Sequence, residues 1–208
     1  MAAINAHLAL EKTLRDIADS GKMKRLLLHS CCGPCSSAVL ERLAAVFDVT
    51  ILYYNPNIYP RGEFEKRAAA QAELLARMNF VRPIRLVTPA YTPEVFDAAT
   101  CGLEDEPEGG ARCRRCFELR LSETARYAKE HGFDYFTTTL SVSPHKNAAL
   151  LNQIGEALAE KEGAMYLAAD FKKRNGYQRS VELSKQYAIY RQDYCGCRYS
   201  FAEKEKRT

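Results

Sequence analysis

No run of apolar residues in this chain is long enough to cross a bilayer. Its opening stretch, MAAINAHLALEKTLRDIADSGKMK, mixes acids and bases in a helical pattern. It lacks the basic start, unbroken apolar centre and small-residue cleavage site of a secretory leader. There is no internal repeat, no low-complexity tract and no linker-like composition. These absences exclude a membrane-spanning helical protein and a repeat array, and they point to one domain in the cytoplasm.

What is present fits that frame. A chain of 208 residues suffices for one α/β domain, and 47% hydrophobic with 27% charged residues is ordinary for a globular protein. The eight cysteines are not ordinary. Disulfides are rare in the cytoplasm, so clustered cysteines there indicate metal binding or redox chemistry. Seven fall into three groups: Cys31-Cys32-x-x-Cys35, Cys113-x-x-Cys116 and Cys195-Gly196-Cys197. Cys101 stands alone and receives no role.

The first group lies where a strand becomes a helix. Arg25-Leu26-Leu27-Leu28 runs into small residues and cysteines, and SAVLERLAAVF follows as a helix from about Ser36 to Phe47. Ahead of it, Asn5 to Asp19 predicts an amphipathic helix ended by Ser20-Gly21. Strands are predicted over Val49 to Tyr54, Ile84 to Pro89, Asp134 to Thr139 and Ala164 to Ala169. Helices are predicted over Glu63 to Met78, Thr92 to Ala99, Arg114 to His131, Ala148 to Lys161 and Gly176 to Tyr190. Alternating strands and helices imply a single α/β domain of about five parallel strands with helices on both faces. Ligands of such sheets sit outside the carboxyl ends of the strands, where the first cysteine group falls.

The thiol spacings leave several chemistries open. A CxxC at a helix start, where unpaired N–H groups favour thiolates, suits zinc, an iron–sulfur cluster or a thioredoxin-like pair. Four thiolates from two strand ends suit either zinc or a cluster. Adjacent Cys31 and Cys32 fit one small ion poorly, which favours the larger cluster. Cys195-Gly196-Cys197 closes only as a small strained ring, favouring a labile redox pair over further metal ligands. Cys35 reads first as a small buried hydrophobe in the first helical turn, and second as a holder of a further metal. His145 and Lys146, in SPHKN, fall at the same sheet edge, as a proton donor and anion binder or as local helix-start polar groups.

From Asp170 to Thr208 there are ten Lys and Arg against five Asp and Glu, interleaved with tyrosines. Such a mixture suits single-stranded RNA, through phosphate contacts and base stacking. Lys172, Lys173, Arg174 and Arg179 are the candidate phosphate contacts. The bland alternative is a solvated helix face with core tyrosines.

Taken together, LLLHSCCGPCSS, YNPNIYPRGEFEKR, EDEPEGGARCRRCFELRL, TTLSVSPHKN and FKKRNGYQRSVELSKQYAIYRQDYCGC resemble the QueH type of epoxyqueuosine reductase, from about Lys24 to Tyr199. The resemblance implies reduction of epoxyqueuosine to queuosine at the tRNA wobble position, the last step of making that base, without cobalamin. It implies a [4Fe–4S] cluster on Cys31, Cys32, Cys113 and Cys116, with a redox-active disulfide between Cys195 and Cys197. Four cysteines saturate such a cluster, so a second iron near Cys35 is one way to leave an open metal. The fold implied is the adenine-nucleotide alpha-hydrolase or HUP type, although CCGPCS replaces the phosphate loop of its ATP-using members. The implied partners are a tRNA carrying epoxyqueuosine in its anticodon and an electron donor; no membrane is involved. His145, Tyr91 and Glu108 are candidate proton donors. Residues 1–23 are read as a helical extension, 24–200 as the catalytic domain and 201–208 as a basic tail. Readings of other classes are a zinc-stabilised RNA-binding protein, a thiol–disulfide oxidoreductase and a PP-loop enzyme that adenylates tRNA.

Overall fold

The computed structural model describes residues 5–206. Five strands, all parallel, form one sheet in the order β3-β2-β1-β4-β5. The strands are β1 Lys24–His29, β2 Phe47–Leu52, β3 Arg85–Val87, β4 Tyr135–Thr138 and β5 Met165–Tyr166. The helices are α1 Ala6–Ser20, α2 Gly33–Leu43, α3 Arg61–Arg77, α4 Pro93–Thr100, α5 Ala111–Glu130, α6 Ala148–Glu162, α7 Gly176–Gln186 and α8 Arg198–Glu205, with a 3-10 turn at Thr139–Val142. This is the single α/β domain with a parallel sheet read from the sequence.

Successive side chains of a strand point to opposite faces, and β1 uses both. Leu26 and Leu28 join Val39, Leu40, Leu43 and Leu74 in one core. Leu27 joins Ala125, Ala128 and Phe136 in another. A central parallel strand must be apolar on both sides because helices cover both, and Leu26-Leu27-Leu28 is the outcome. α1 delivers Leu10 and Ile17 into the first core. The helix expected in the leading stretch is therefore built into the packing.

Several boundaries differ from the sequence-based expectation. α2 begins at Gly33, inside the cysteine turn, because a glycine there lets its backbone approach Ala70. A Cβ at that position would lie 2.8 Å from the Ala70 carbonyl oxygen. β5 has only two paired residues, a short edge strand that leaves little unpaired edge exposed. The helix expected to reach Tyr190 stops at Gln186, and Ala188 then turns the chain with positive φ. α8 follows Cys197 unannounced and includes most of the expected basic tail, whose residues beyond Lys206 lie outside the described part.

The chain runs from β1 outward to β2 and β3, then returns across β1 to β4 and β5. Between the carboxyl ends of β1 and β4 the connections therefore diverge, leaving a crevice. Cys31 follows β1 and Thr139 follows β4, and the Cys31 Sγ lies 3.9 Å from the Thr139 Oγ1.

Candidate functional site

The cysteine turn after β1 is held from below by a buried hydroxyl–amide knot. Ser30 Oγ and Ser36 Oγ lie 2.6 Å apart, and both donate to Gln71 Oε1 on α3 at 2.7 Å. Asn55 Nδ2 donates to the Ser30 carbonyl at 2.8 Å. The turn so fixed brings the sulfurs of Cys31, Cys32 and Cys35 within 4.8 Å of one another. Among the described residues they are the one group of three or more potential ligands this close. Cys35, read from the sequence first as packing, is half-buried within this group.

The electrostatics of the triad are uneven. Hydrogen bonds from Cys32 and Cys35 hold the Cys31 thiol well below its usual range against its burial, aided by the Arg120 and Lys146 charges. Burial and the Cys31 charge push Cys32 up to about 12. Gln192 Nε2 donates to Cys32 Sγ at 3.0 Å, tying the triad to the chain after α7.

Cys113 and Cys116 stand in the first turns of α5, as the CxxC at a helix start requires. Gly109 N–H donates to Cys113 Sγ at 3.2 Å. Arg112 closes the acidic loop onto the helix by donating to the carbonyls of Leu103 and Glu104, at 3.2 and 2.7 Å. Cys116 is buried, which drives its thiol up to about 12 against the pull of Arg120. Cys31 and Cys113 pack against one apolar cluster, with Phe117 and Leu140, while Cys116 and Cys197 share another with Phe96. Cys113 and Cys116 thus lie beside the triad but outside its 4.8 Å group.

Two adjoining cavities complete the site. One of about 620 Å³ is lined by Cys31, Cys35, Lys146, Tyr177, Arg191 and Cys195. The other, about 90 Å³, is lined by all four of Cys113, Cys116, Cys195 and Cys197, with buried Asn57, whose Oδ1 has no hydrogen-bond partner among the described residues. Arg120, Lys146, His145, Glu108 and Cys195 line both. The CGC segment is thus brought back to the strand ends, between the other two sulfur groups. All eight cysteines, including Cys195 and Cys197, are free thiols here, and Cys101 is exposed after α4.

The CGC loop has a clamp that the sequence did not reveal. Arg67 of α3 is 1% exposed and donates to the carbonyls of Cys195 and Tyr194 at 3.1 and 3.2 Å. Its Nε donates to Glu63 at 2.6 Å. Arg120, Asn55 and His29 were likewise missed. A signal for Arg120 exists: positions 113, 116 and 120 share one face of a helix. Buried arginines on amphipathic helices otherwise read as solvent-facing charges.

Of the candidate proton donors, His145 and Glu108 are exposed and line both cavities. Tyr91 lines neither and donates to the Ile58 carbonyl at 2.6 Å. The candidate RNA contacts lie outside both cavities. Arg179 is paired in fork fashion with Glu41 at 2.7 and 2.9 Å, Arg174 lies 3.6 Å from Glu11, and Lys172 lies 3.1 Å from Asp170. Lys173 is exposed.

The chain is similar to known proteins over most of its length. The family described as "Epoxyqueuosine reductase QueH" matches residues 26–203. The chain is 44% identical to the protein of that name from Streptococcus pyogenes serotype M1, over 84% of this chain and 69% of that one. It is 41% identical to the one from Staphylococcus epidermidis, over 93% and 83%, and 35% identical to the one from Thermotoga maritima, over 89% and 94%. Cysteine groups gathered at the sheet's crevice and a match across nearly the whole domain lead to one conclusion: this chain belongs to the epoxyqueuosine reductase QueH family.

Proposed function

We propose that this protein is an oxidoreductase that reduces the epoxide of epoxyqueuosine, in the anticodon of tRNA, to the alkene of queuosine, without cobalamin. The observation that carries the reading is the meeting of all three sulfur groups around two adjoining cavities, in a chain of this family.

Cys31, Cys32, Cys113 and Cys116 would hold a [4Fe–4S] cluster, and Cys35 a further iron. The donor set fits: it is all sulfur, and the cations Arg120 and Lys146 beside it suit a centre of negative charge. When bound, such a cluster supplies electrons singly.

The residues of the chain supply the rest. Removing the epoxide oxygen as water takes two electrons and two protons. Cys195 and Cys197 provide both: their two S–H bonds break, one S–S bond forms, and the oxygen leaves as water while an alkene remains. An electron donor then returns the disulfide to two thiols. Lys146 Nζ, 3.7 Å from the Cys195 Sγ, holds that sulfur at the cavity wall. The larger cavity takes the base, with Tyr177 at its wall offering a stacking face. A tRNA substrate supports reading the protein as cytoplasmic.

The test compares two variants purified anaerobically. Cys113→Ser is expected to lose iron and sulfide. Cys197→Ser is expected to keep both, bind tRNA normally and lose epoxide reduction. Wild-type metal content in Cys113→Ser would sink the ligand assignment, and full turnover by Cys197→Ser would sink the dithiol.

A further inference from the structure

Two cations at this site have no acidic partner among the described residues. Arg120 is 2% exposed, and its donors meet only neutral or sulfur partners. Nη2 donates to Asn55 Oδ1 at 2.6 Å, Nε to His29 Nε2 at 3.3 Å, and Nη1 faces Cys116 Sγ at 3.9 Å. Lys146 is half-buried, with Cys195 Sγ as its hydrogen-bond acceptor. Glu108 lines the same cavities but is exposed and pairs with neither. A desolvated cation left without a counter-charge is strongly disfavoured. Glu203 and Asp193 also line the larger cavity, but Asp193 pairs with Lys204 at 2.7 Å and, among the described residues, neither forms an ion pair with Arg120 or Lys146. What the two cations do face is sulfur, Cys116 Sγ for Arg120 and Cys195 Sγ for Lys146.

We propose that Arg120 and Lys146 are positioning residues that supply the counter-charge of the sulfur site and stabilise its more negative, reduced state. The inference rests on the cluster reading above, not on the dithiol step. It adds which residues set the electron affinity of the site. Arg120 comes from α5 and Lys146 from the turn before α6, so the two cations approach from different elements. Each electron added to a thiolate-bound centre makes it more negative, and a fixed cation in a poorly solvated wall favours that step.

The experiment uses full-length protein purified anaerobically: wild type, Arg120→Gln, Arg120→Lys and Lys146→Met. Metal content, rate of metal loss to a chelator and reduction midpoint in a dye titration are measured. Arg120→Gln and Lys146→Met are each expected to lower the equilibrium constant for reduction about tenfold, which is about 59 mV for a one-electron couple. Both should release metal roughly tenfold faster, because an anionic complex loses its counter-charge. Arg120→Lys keeps the charge and should recover most of the shift, which a purely structural role would not give. Reduction equilibrium constants and release rates within about twofold of wild type in both charge-removing variants would overturn the proposal. If Arg120→Gln does not fold, Lys146→Met decides alone, since its side chain is only half-buried. A wild type without a redox-active metal would defeat the redox reading instead; release rates from zinc-loaded proteins would then still decide the counter-charge role.

Discussion

Gly196 adopts φ 123°, a backbone conformation that side-chain-bearing residues avoid. Its surroundings are also full. A Cβ there would lie 2.9 Å from Arg67 Nη1 and 3.3 Å from Ile58 Cγ1. Arg67 cannot simply swing away, because Glu63 and two carbonyls hold it. The loop is tied further by the Tyr59 N–H donating to the Gly196 carbonyl at 2.7 Å. Gly196→Ala is therefore expected to lower stability by about 1–3 kcal/mol, in the range of strained backbone conformations. Urea unfolding followed by circular dichroism measures it, and an unchanged midpoint would contradict this account of the loop. From the sequence, the CGC spacing suggested only a small strained ring. That Gly196 also clears space for an arginine 129 positions earlier in the chain is a contact at long range, which no local pattern encodes.

At the scale of elements, β1 and β4 are registered by one carboxylate. Asp134 accepts from Lys24 Nζ at 2.7 Å and from the Arg25 N–H at 2.8 Å, while its own N–H donates to the Arg25 carbonyl at 3.0 Å. Burial pushes the Asp134 carboxyl up, but the Lys24 and Arg25 hydrogen bonds outweigh it and leave the pKa below its ordinary value. A depressed folded pKa means stability that is present above the unfolded value of about 3.9 and lost as pH falls through the folded one. Asp134→Asn is expected to cost about 1 kcal/mol at pH 7, discounted for the partial exposure of the pair. The gap to wild type should close as the pH falls from the unfolded value of about 3.9 through the lower folded one. Parallel denaturation curves at the two pH values check this, and a pH-independent difference would rule it out. Periodicity made β1, β2 and β4 and the long helices legible, because burial on both faces imposes apolar runs and burial on one imposes a stripe. It failed for α8, whose Arg198–Glu205 segment is mostly polar and buries only Ser200, so no stripe announces it.

Over the whole molecule, two surfaces compete as the RNA contact. One is the Lys172 to Arg179 stretch, where charges are abundant but Arg179, Arg174 and Lys172 already have acidic neighbours. The other is the rim of the larger cavity, where Tyr177 is 41% exposed with the Arg191 guanidinium 5.3 Å from its ring centroid. Stacking of one base is worth roughly 1–3 kcal/mol, so Tyr177→Ala should weaken anticodon stem-loop binding about fivefold or more without altering its salt dependence. Lys172→Ala with Lys173→Ala should instead flatten that dependence, by roughly 0.7 in logarithmic slope for each lost single-strand phosphate contact. Fluorescence anisotropy at several salt concentrations separates the two. Unchanged affinity in either variant removes that surface from the interface.

By itself the sequence determined the α/β class, the parallel sheet and the edge on which the cysteines fall. Those follow from local apolar patterning and from the rule that helical crossovers gather strand ends on one side. The grouping of Cys35 with Cys31 and Cys32, and of Cys113 and Cys116 with the CGC thiols around one cavity, was decided only by tertiary structure. So were the burial of Arg67 and Arg120 and the pairing of the basic stretch with Glu11 and Glu41. The physical reason is the same in each case. Spacing constrains atoms a few residues apart, whereas the charge on a thiol or a guanidinium depends on neighbours that only chain packing brings within a few ångströms.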